Sequence, residues 1–271
     1  MKDTKIFFTD LDDTLLNSDK QVSDEDRAAM DAALQSGHKI VINTGRPLPA
    51  VMPLIRRISL NRPGCFASTY NGGLIYDCGK REIIYKKALS PAYVRHIFEE
   101  ACRAGLYAQT YDSRRLLCLR YTKETQLYCA ASEIDWQADP HFLENLQEDP
   151  VKVLVINYDQ PERLHAFRAS LASWAAGKVS SYFSSDFLLE FVAEGISKGA
   201  AIRLLCDRLG ISLSQTVAAG DAENDIPMLK TAAVGVAVSN ASSEVKAAAD
   251  YVTERDCNHS AVSEILHRYL L

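Results

Sequence analysis

The run Ile6-Phe7-Phe8 is apolar enough for a buried strand, yet it stops in Asp10-Leu11-Asp12-Asp13-Thr14, three acids within four positions. A strand that carries alternate carboxylates to its own tip contributes little to a core. It is well suited to a hard-metal site beside a nucleophile, because oxygen ligands and an attacking carboxylate are needed in the same place.

The rest of the chain says what such a strand is built into. Short β-branched or aromatic runs alternate with amphipathic helical patterns, which predicts an α/β fold with a parallel sheet covered by helices. Ser23 caps a helix through about Ser36, with Asp26 three positions on, and His38 to Asn43 is the next strand. Thr44-Gly45-Arg46-Pro47 is a tight turn that opens a helix reaching about Leu60, and Cys65 to Tyr70 is a third strand stopped by Asn71-Gly72-Gly73. Near Tyr85 the pattern changes. Ser90-Pro91 opens a helix to Arg103, and further strands and helices follow as far as Val179 to Phe183. From Leu188 the first pattern returns: Ser197 caps a helix ending at Gly210, Thr216 to Ala219 is a strand, and Gly220-Asp221 breaks it into a helix starting near Glu223. The reading is therefore a core domain made of residues 1–84 and 188–271, with residues 85–187 inserted into it.

Two domains suit 271 residues. A net charge of −5 with scattered Lys and Arg argues against a nucleic-acid partner, which demands clustered basic side chains. Seven cysteines without a CxxC pair make neither a disulfide nor a zinc framework and read as reduced core thiols. The first residues lack the pattern of a secretory signal and no apolar stretch has membrane-spanning length, so the expectation is a cytoplasmic protein with no membrane partner. Nothing in the sequence speaks to oligomeric state.

In an open α/β sheet the reactive groups lie at the carboxyl ends of the strands. Four polar clusters fall there: Asp10 to Thr14, Thr44-Gly45, Ser197-Lys198, and Gly220-Asp221-Ala222-Glu223-Asn224-Asp225. Carboxylates from two strand ends suit a cation such as magnesium, while a hydroxyl, a turn amide and a lysine suit phosphate oxygens. This is an inventory for phosphoryl transfer. Asp10 is the natural nucleophile, Asp12 the second carboxylate that shuttles protons, Lys198 the cation that offsets charge shared by Asp10 and the phosphoryl group, and Asp221 the acid that completes the metal shell.

These clusters and their order resemble the haloacid dehalogenase superfamily of phosphatases. With the insertion between the third strand and Lys198, the chain is most similar to the Cof-type subfamily; Asn71-Gly72-Gly73 and Val236-Ala237-Val238-Ser239-Asn240-Ala241 share that likeness. The resemblance implies a Rossmann-like core with helices on both faces and an inserted α/β cap that sets substrate specificity. It also implies magnesium held by Asp10, Asp221 and the backbone carbonyl of Asp12. Phosphate would be held by Thr44, the Gly45 amide, Lys198 and Asn224, with the Leu11 and Asp12 amides facing it and Asp225 bracing the metal shell from outside. The implied activity is a magnesium-dependent phosphomonoesterase acting on a small phosphorylated metabolite, a sugar phosphate or a phosphorylated cofactor precursor, through an aspartyl-phosphate.

A phosphomutase or phosphotransferase would use the same core residues, and a phospho-accepting regulatory module would share an Asp with magnesium. A halide-removing enzyme needs neither Asp12 nor Asp221. The chain departs from the family at two places: Asp13 stands where glycine is common, and Ser260-Ala261 replaces a Gly-Val pair often seen near the C-terminus.

Overall fold

The computed structural model describes residues 4–146 and 148–271. Residues 1–3, at the end where no signal pattern is expected, and residue 147, in the loop expected between Pro140 and Pro150, lie outside that description. From the N-terminus run β1 (Ile6–Thr9), α1 (Asp24–Gln35), β2 (Lys39–Asn43), α2 (Leu48–Arg57), β3 (Cys65–Thr69), β4 (Leu74–Asp77) and β5 (Glu82–Lys86). Then follow α3 (Pro91–Arg103), β6 (Tyr107–Tyr111), β7 (Leu116–Cys118), α4 (Lys123–Ser132), β8 (Trp136–Ala138), β9 (Lys152–Ile156), α5 (Glu162–Ala175), β10 (Val179–Ser185) and β11 (Leu188–Ala193). The last stretch holds α6 (Lys198–Leu209), β12 (Thr216–Gly220), α7 (Ile226–Leu229), β13 (Val234–Ala237), α8 (Ser243–Ala248), β14 (Tyr251–Val252) and α9 (Ala261–Tyr269).

The outer pieces of the chain build one sheet in the order β14-β13-β12-β1-β2-β3-β4-β5, parallel from β14 to β3 and antiparallel where β4 turns back on β3. The chain leaves β1 toward β2 on one side and returns to β12 on the other. That makes β1 the point where strand order reverses, and a crevice opens outside the carboxyl ends at such a point. The location of the acid-tipped strand follows from its burial: Ile6, Phe7 and Phe8 are fully covered, with about 1.5–3 kcal/mol favouring burial of each such side chain. Phe8 packs in a cluster with Val41, Ile202, Leu205, Ala218 and Met228.

The helices start where their caps put them. Ser23 accepts the Asp26 N–H at 3.0 Å, and three acids fill the first turn of α1, which favours the positive end of the helix dipole. Ser197 accepts the Ala200 N–H at 3.0 Å and so sets the first residue of α6 at Lys198.

The inserted segment forms a second sheet, β10-β11-β9-β6-β7-β8. Phe167 of α5 meets Phe191 edge to face, and a buried ion pair, Lys152 with Glu190 at 3.1 Å, lies between neighbouring strands. The compact units divide after Tyr85 and after Ile196, and residues 46–53 group with the second. The sequence reading put the return to the core at Leu188. That residue instead begins β11, which is zipped between β10 and β9, so its apolar run completes the inserted sheet. A short apolar run identifies a strand but carries no information about which sheet takes it. Among the described residues no helix is long and apolar enough to cross a membrane.

Candidate active site

Asp10 is the first residue past β1, and its N–H still donates to Ala219 O of β12 at 2.9 Å, so its backbone is held by the sheet. Its carboxylate meets the ammonium of Lys198. The same ammonium meets Asp225 Oδ1 at 2.5 Å, and Lys198 is only 1% exposed. A lysine in the first turn of a helix faces the wrong end of the dipole. Here two buried carboxylates more than compensate: burial works against the charged ammonium, but Asp10 and Asp225 outweigh it and hold the Lys198 pKa above its ordinary value. Asn43 at the end of β2 donates to the Lys198 carbonyl at 3.1 Å and so pins the helix start from below.

Asp225 reaches this place by folding back over the end of β12. Its Oδ2 accepts the N–H groups of Asp221 and Ala222, at 2.9 and 3.0 Å, while Oδ1 faces Lys198. The fold-back requires a glycine at 220, where a Cβ would lie 2.4 Å from the Asp225 side chain. Asp221 projects beside it, and its Oδ1 accepts the Thr14 hydroxyl at 2.8 Å.

Carboxylate oxygens of Asp10, Asp221 and Asp225 lie within 4.8 Å of one another. Both oxygens of Asp225 are engaged, by Lys198 and by the Asp221 and Ala222 N–H groups, whereas Asp10 and Asp221 are each bonded through Oδ1, so these two are the less committed of the three. Burial raises the Asp10 pKa well above the carboxylate range, opposed by Lys198 and reinforced by Asp225 and Asp221. Burial likewise pushes Asp221 up to about 7, with Asp225 adding to the effect. Three acids around one ammonium leave negative charge that buried surroundings do not tolerate. A divalent cation on Asp10 and Asp221 relieves that excess, and all-oxygen donors suit a hard ion. The residues present therefore fit a divalent metal.

Asp12 is placed differently. Its carboxylate lies outside this trio and meets Lys20 at 3.3 Å, with the side chain 36% exposed. Lys20 also meets Asp13 at 3.4 Å. Asp13 takes a left-handed backbone, φ 56°, and its carbonyl accepts from Asn240 at 2.7 Å. Ser260 is left-handed as well, φ 63°. Both departures from the family pattern thus fall on positions where an L-residue costs about 1–2 kcal/mol and glycine costs nothing, with Asp the better tolerated of the two.

Of the residues expected to hold phosphate, Leu11 and Thr44 are buried and Gly45 is enclosed with them. The Thr44 N–H donates to Ser68 O at 2.8 Å, and its carbonyl accepts the Asn71 N–H at 3.0 Å. Asn224, also buried, donates its side-chain amide to Asn71 Oδ1 at 3.0 Å. Asp10, Lys198, Asp221 and Asp225 form a direct cluster, while Thr44 and Asn224 join through Asn71.

Three contacts escaped the sequence reading: Thr14 on Asp221, Lys20 on Asp12, and Asn71 between Thr44 and Asn224. Thr14 stood inside the acid-rich run, and Asn71 sat in an Asn-Gly-Gly turn, so both carried a signal. Lys20 carried none, being one surface lysine among many.

A model of the haloacid dehalogenase-like hydrolases matches residues 7–266. A Streptococcus pyogenes serotype M6 protein is 31% identical, with 98% of each chain covered. The 5-amino-6-(5-phospho-D-ribitylamino)uracil phosphatase YcsE of Bacillus subtilis is 27% identical over 98% of this chain and 96% of its own. A haloacid dehalogenase-like hydrolase from Bacteroides thetaiotaomicron superposes with a TM-score of 0.87 at 29% identity, covering 98% of this chain and 99% of that one.

Proposed function

We propose a specific reaction on the premise that the chain belongs to the haloacid dehalogenase-like hydrolase family and is a phosphomonoesterase. The substrate is a small phosphorylated metabolite, a sugar phosphate or a phosphorylated cofactor precursor, and the metal is magnesium. The observation that carries the reading is the buried trio Asp10–Lys198–Asp225 with Asp221 beside it. A relative along its whole length hydrolyses a phosphorylated ribityl compound, which supports a polyhydroxylated leaving group. The choice among such groups falls to the inserted segment.

A carboxylate oxygen of Asp10 attacks phosphorus, the bond from phosphorus to the ester oxygen breaks, and Asp12 gives its proton to the departing alkoxide. A water then attacks the phosphorus of the aspartyl-phosphate, Asp12 takes the water's proton, and the acyl-phosphate bond breaks to return Asp10 and release phosphate. Lys198 offsets the charge that Asp10 shares with the phosphoryl group, and Thr44, the Gly45 amide, the Leu11 amide and Asn224 hold the phosphoryl oxygens. Asp10, Asp221 and the Asp12 carbonyl would hold magnesium, which supplies Lewis-acid stabilisation of the phosphoryl oxygens.

The test is phosphate release in water from a panel of phosphorylated metabolites and a generic aryl phosphate, with and without a chelator. Activity that is lost on chelation and returns with magnesium supports the reading. Undiminished hydrolysis in the chelated sample removes the metal from it, and an Asp12→Asn protein with full activity removes the proton shuttle.

A further inference from the structure

The tip of the β3–β4 hairpin carries consecutive left-handed residues, two of them not glycine. Tyr70, Asn71 and Gly72 run consecutively at φ 53°, 58° and 97°. Two non-glycine residues in sequence in the left-handed region are uncommon, and such strain persists where the surroundings over-determine it. The surroundings do so here. The Asn71 N–H is anchored on Thr44 O at 3.0 Å, its Oδ1 receives Asn224 Nδ2 at 3.0 Å, and a Cβ at Gly72 would lie 2.6 Å from the carbonyl of Ser197, the residue that caps the helix of Lys198. Asn71 is fully buried. One hairpin tip therefore touches three of the elements to which phosphate contacts are assigned, those of Thr44, Lys198 and Asn224, although they lie far apart in the sequence.

We infer that Asn71 is a positioning residue for phosphate recognition: it fixes which end of the Asn224 amide faces the phosphoryl group. An amide side chain has a donor end and an acceptor end of nearly equal shape. By accepting one hydrogen of Asn224 Nδ2, Asn71 holds the nitrogen on the phosphate side and leaves its second hydrogen for an anionic oxygen. Without that acceptor the amide can turn over and present its own oxygen to phosphate, which repels. The left-handed backbone is what brings Oδ1 to Asn224 while the N–H stays on Thr44. This inference rests on the phosphatase reading above for Asn224.

The test compares Asn71→Gly, Asn71→Ala, Asn224→Ala and the double variant Asn71→Gly/Asn224→Ala. Glycine relieves the backbone while removing the acceptor, so it separates positioning from folding. The expected result for Asn71→Gly is an unchanged or higher Tm, a kcat/KM for an aryl phosphate lower by roughly 10–100-fold, and inorganic phosphate binding to the magnesium-loaded protein weakened to a similar degree. The double variant should be no worse than Asn224→Ala alone. Asn71→Gly with wild-type kcat/KM and phosphate affinity overturns the inference, and so do losses that multiply in the double variant. If the wild-type protein hydrolyses no phosphate ester, the function reading fails; non-multiplying losses of phosphate binding still support the inference, and multiplying or absent ones still overturn it.

Discussion

The hydroxyl of Thr14 donates to Asp221 Oδ1 across 2.8 Å, joining the end of the first acid cluster to the start of the last, 207 residues away. The bond leaves Asp221 one fully available oxygen lobe and fixes the plane of its carboxylate. Thr14→Val keeps the shape and deletes the donor. Magnesium affinity should fall by about 10–100-fold with little change in Tm, as read by titration calorimetry against thermal unfolding. An unaltered affinity would mean that Asp221 is oriented by other contacts.

Lys198 separates two buried carboxylates, Asp10 and Asp225. Lys198→Met should cost about 3–5 kcal/mol of stability in the metal-free protein, because removing one partner strands buried charge. Chemical denaturation measures that cost, and hydrolysis of an aryl phosphate should be abolished in the same protein. A loss below 1 kcal/mol would show that Lys198 does not offset the burial of these two acids.

The metal-free protein should lose stability as pH rises. Burial raises both Asp10 and Asp221, the latter to about 7, so the folded state holds protons that the unfolded chain has already released. The folded state is then favoured at low pH, and this contribution disappears between about pH 4 and pH 7. Magnesium displaces those protons, so the Tm difference between loaded and metal-free protein should widen across that window. A constant difference would contradict the assignment of these two acids to the metal.

Asp13 pays for its left-handed backbone and makes only exposed contacts through its carboxylate. Asp13→Gly should raise stability by about 0.5 kcal/mol, since the strain relieved exceeds the value of a surface ion pair. The carbonyl that accepts from Asn240 is kept, so kcat/KM should stay within about threefold. A large loss of activity would give the Asp13 carboxylate a chemical role.

Much of the parallel sheet was legible because burial on both faces demands apolar strands, and their lengths show in the sequence. The caps Ser23 and Ser197 were legible because capping is local. Leu188–Ala193 was not, since its apolar run fits either sheet and only pairing with β10 and β9 decides. At the site, Asp10 and Asp221 were readable from residue type just past strand ends, and Lys198 from the Ser197 cap that precedes it. The partnership of Lys198 with Asp225 was not, because it depends on a fold-back over Gly220 that brings a helix-start acid behind its own strand.

Which chemical groups stand just past the carboxyl ends of the strands follows from the order of the amino acids, because strand ends and the residues beyond them are local properties. Tertiary structure alone decided which acid meets which cation. It set Asp12 against Lys20, Asp225 against Lys198, and Asn71 between Thr44 and Asn224. Asp12 and Lys20 meet within the loop between β1 and α1, whereas the other contacts join segments brought together only when β12 pairs with β1 and β3 lies beside β2, and charges act over distances that exist only once the chain has folded.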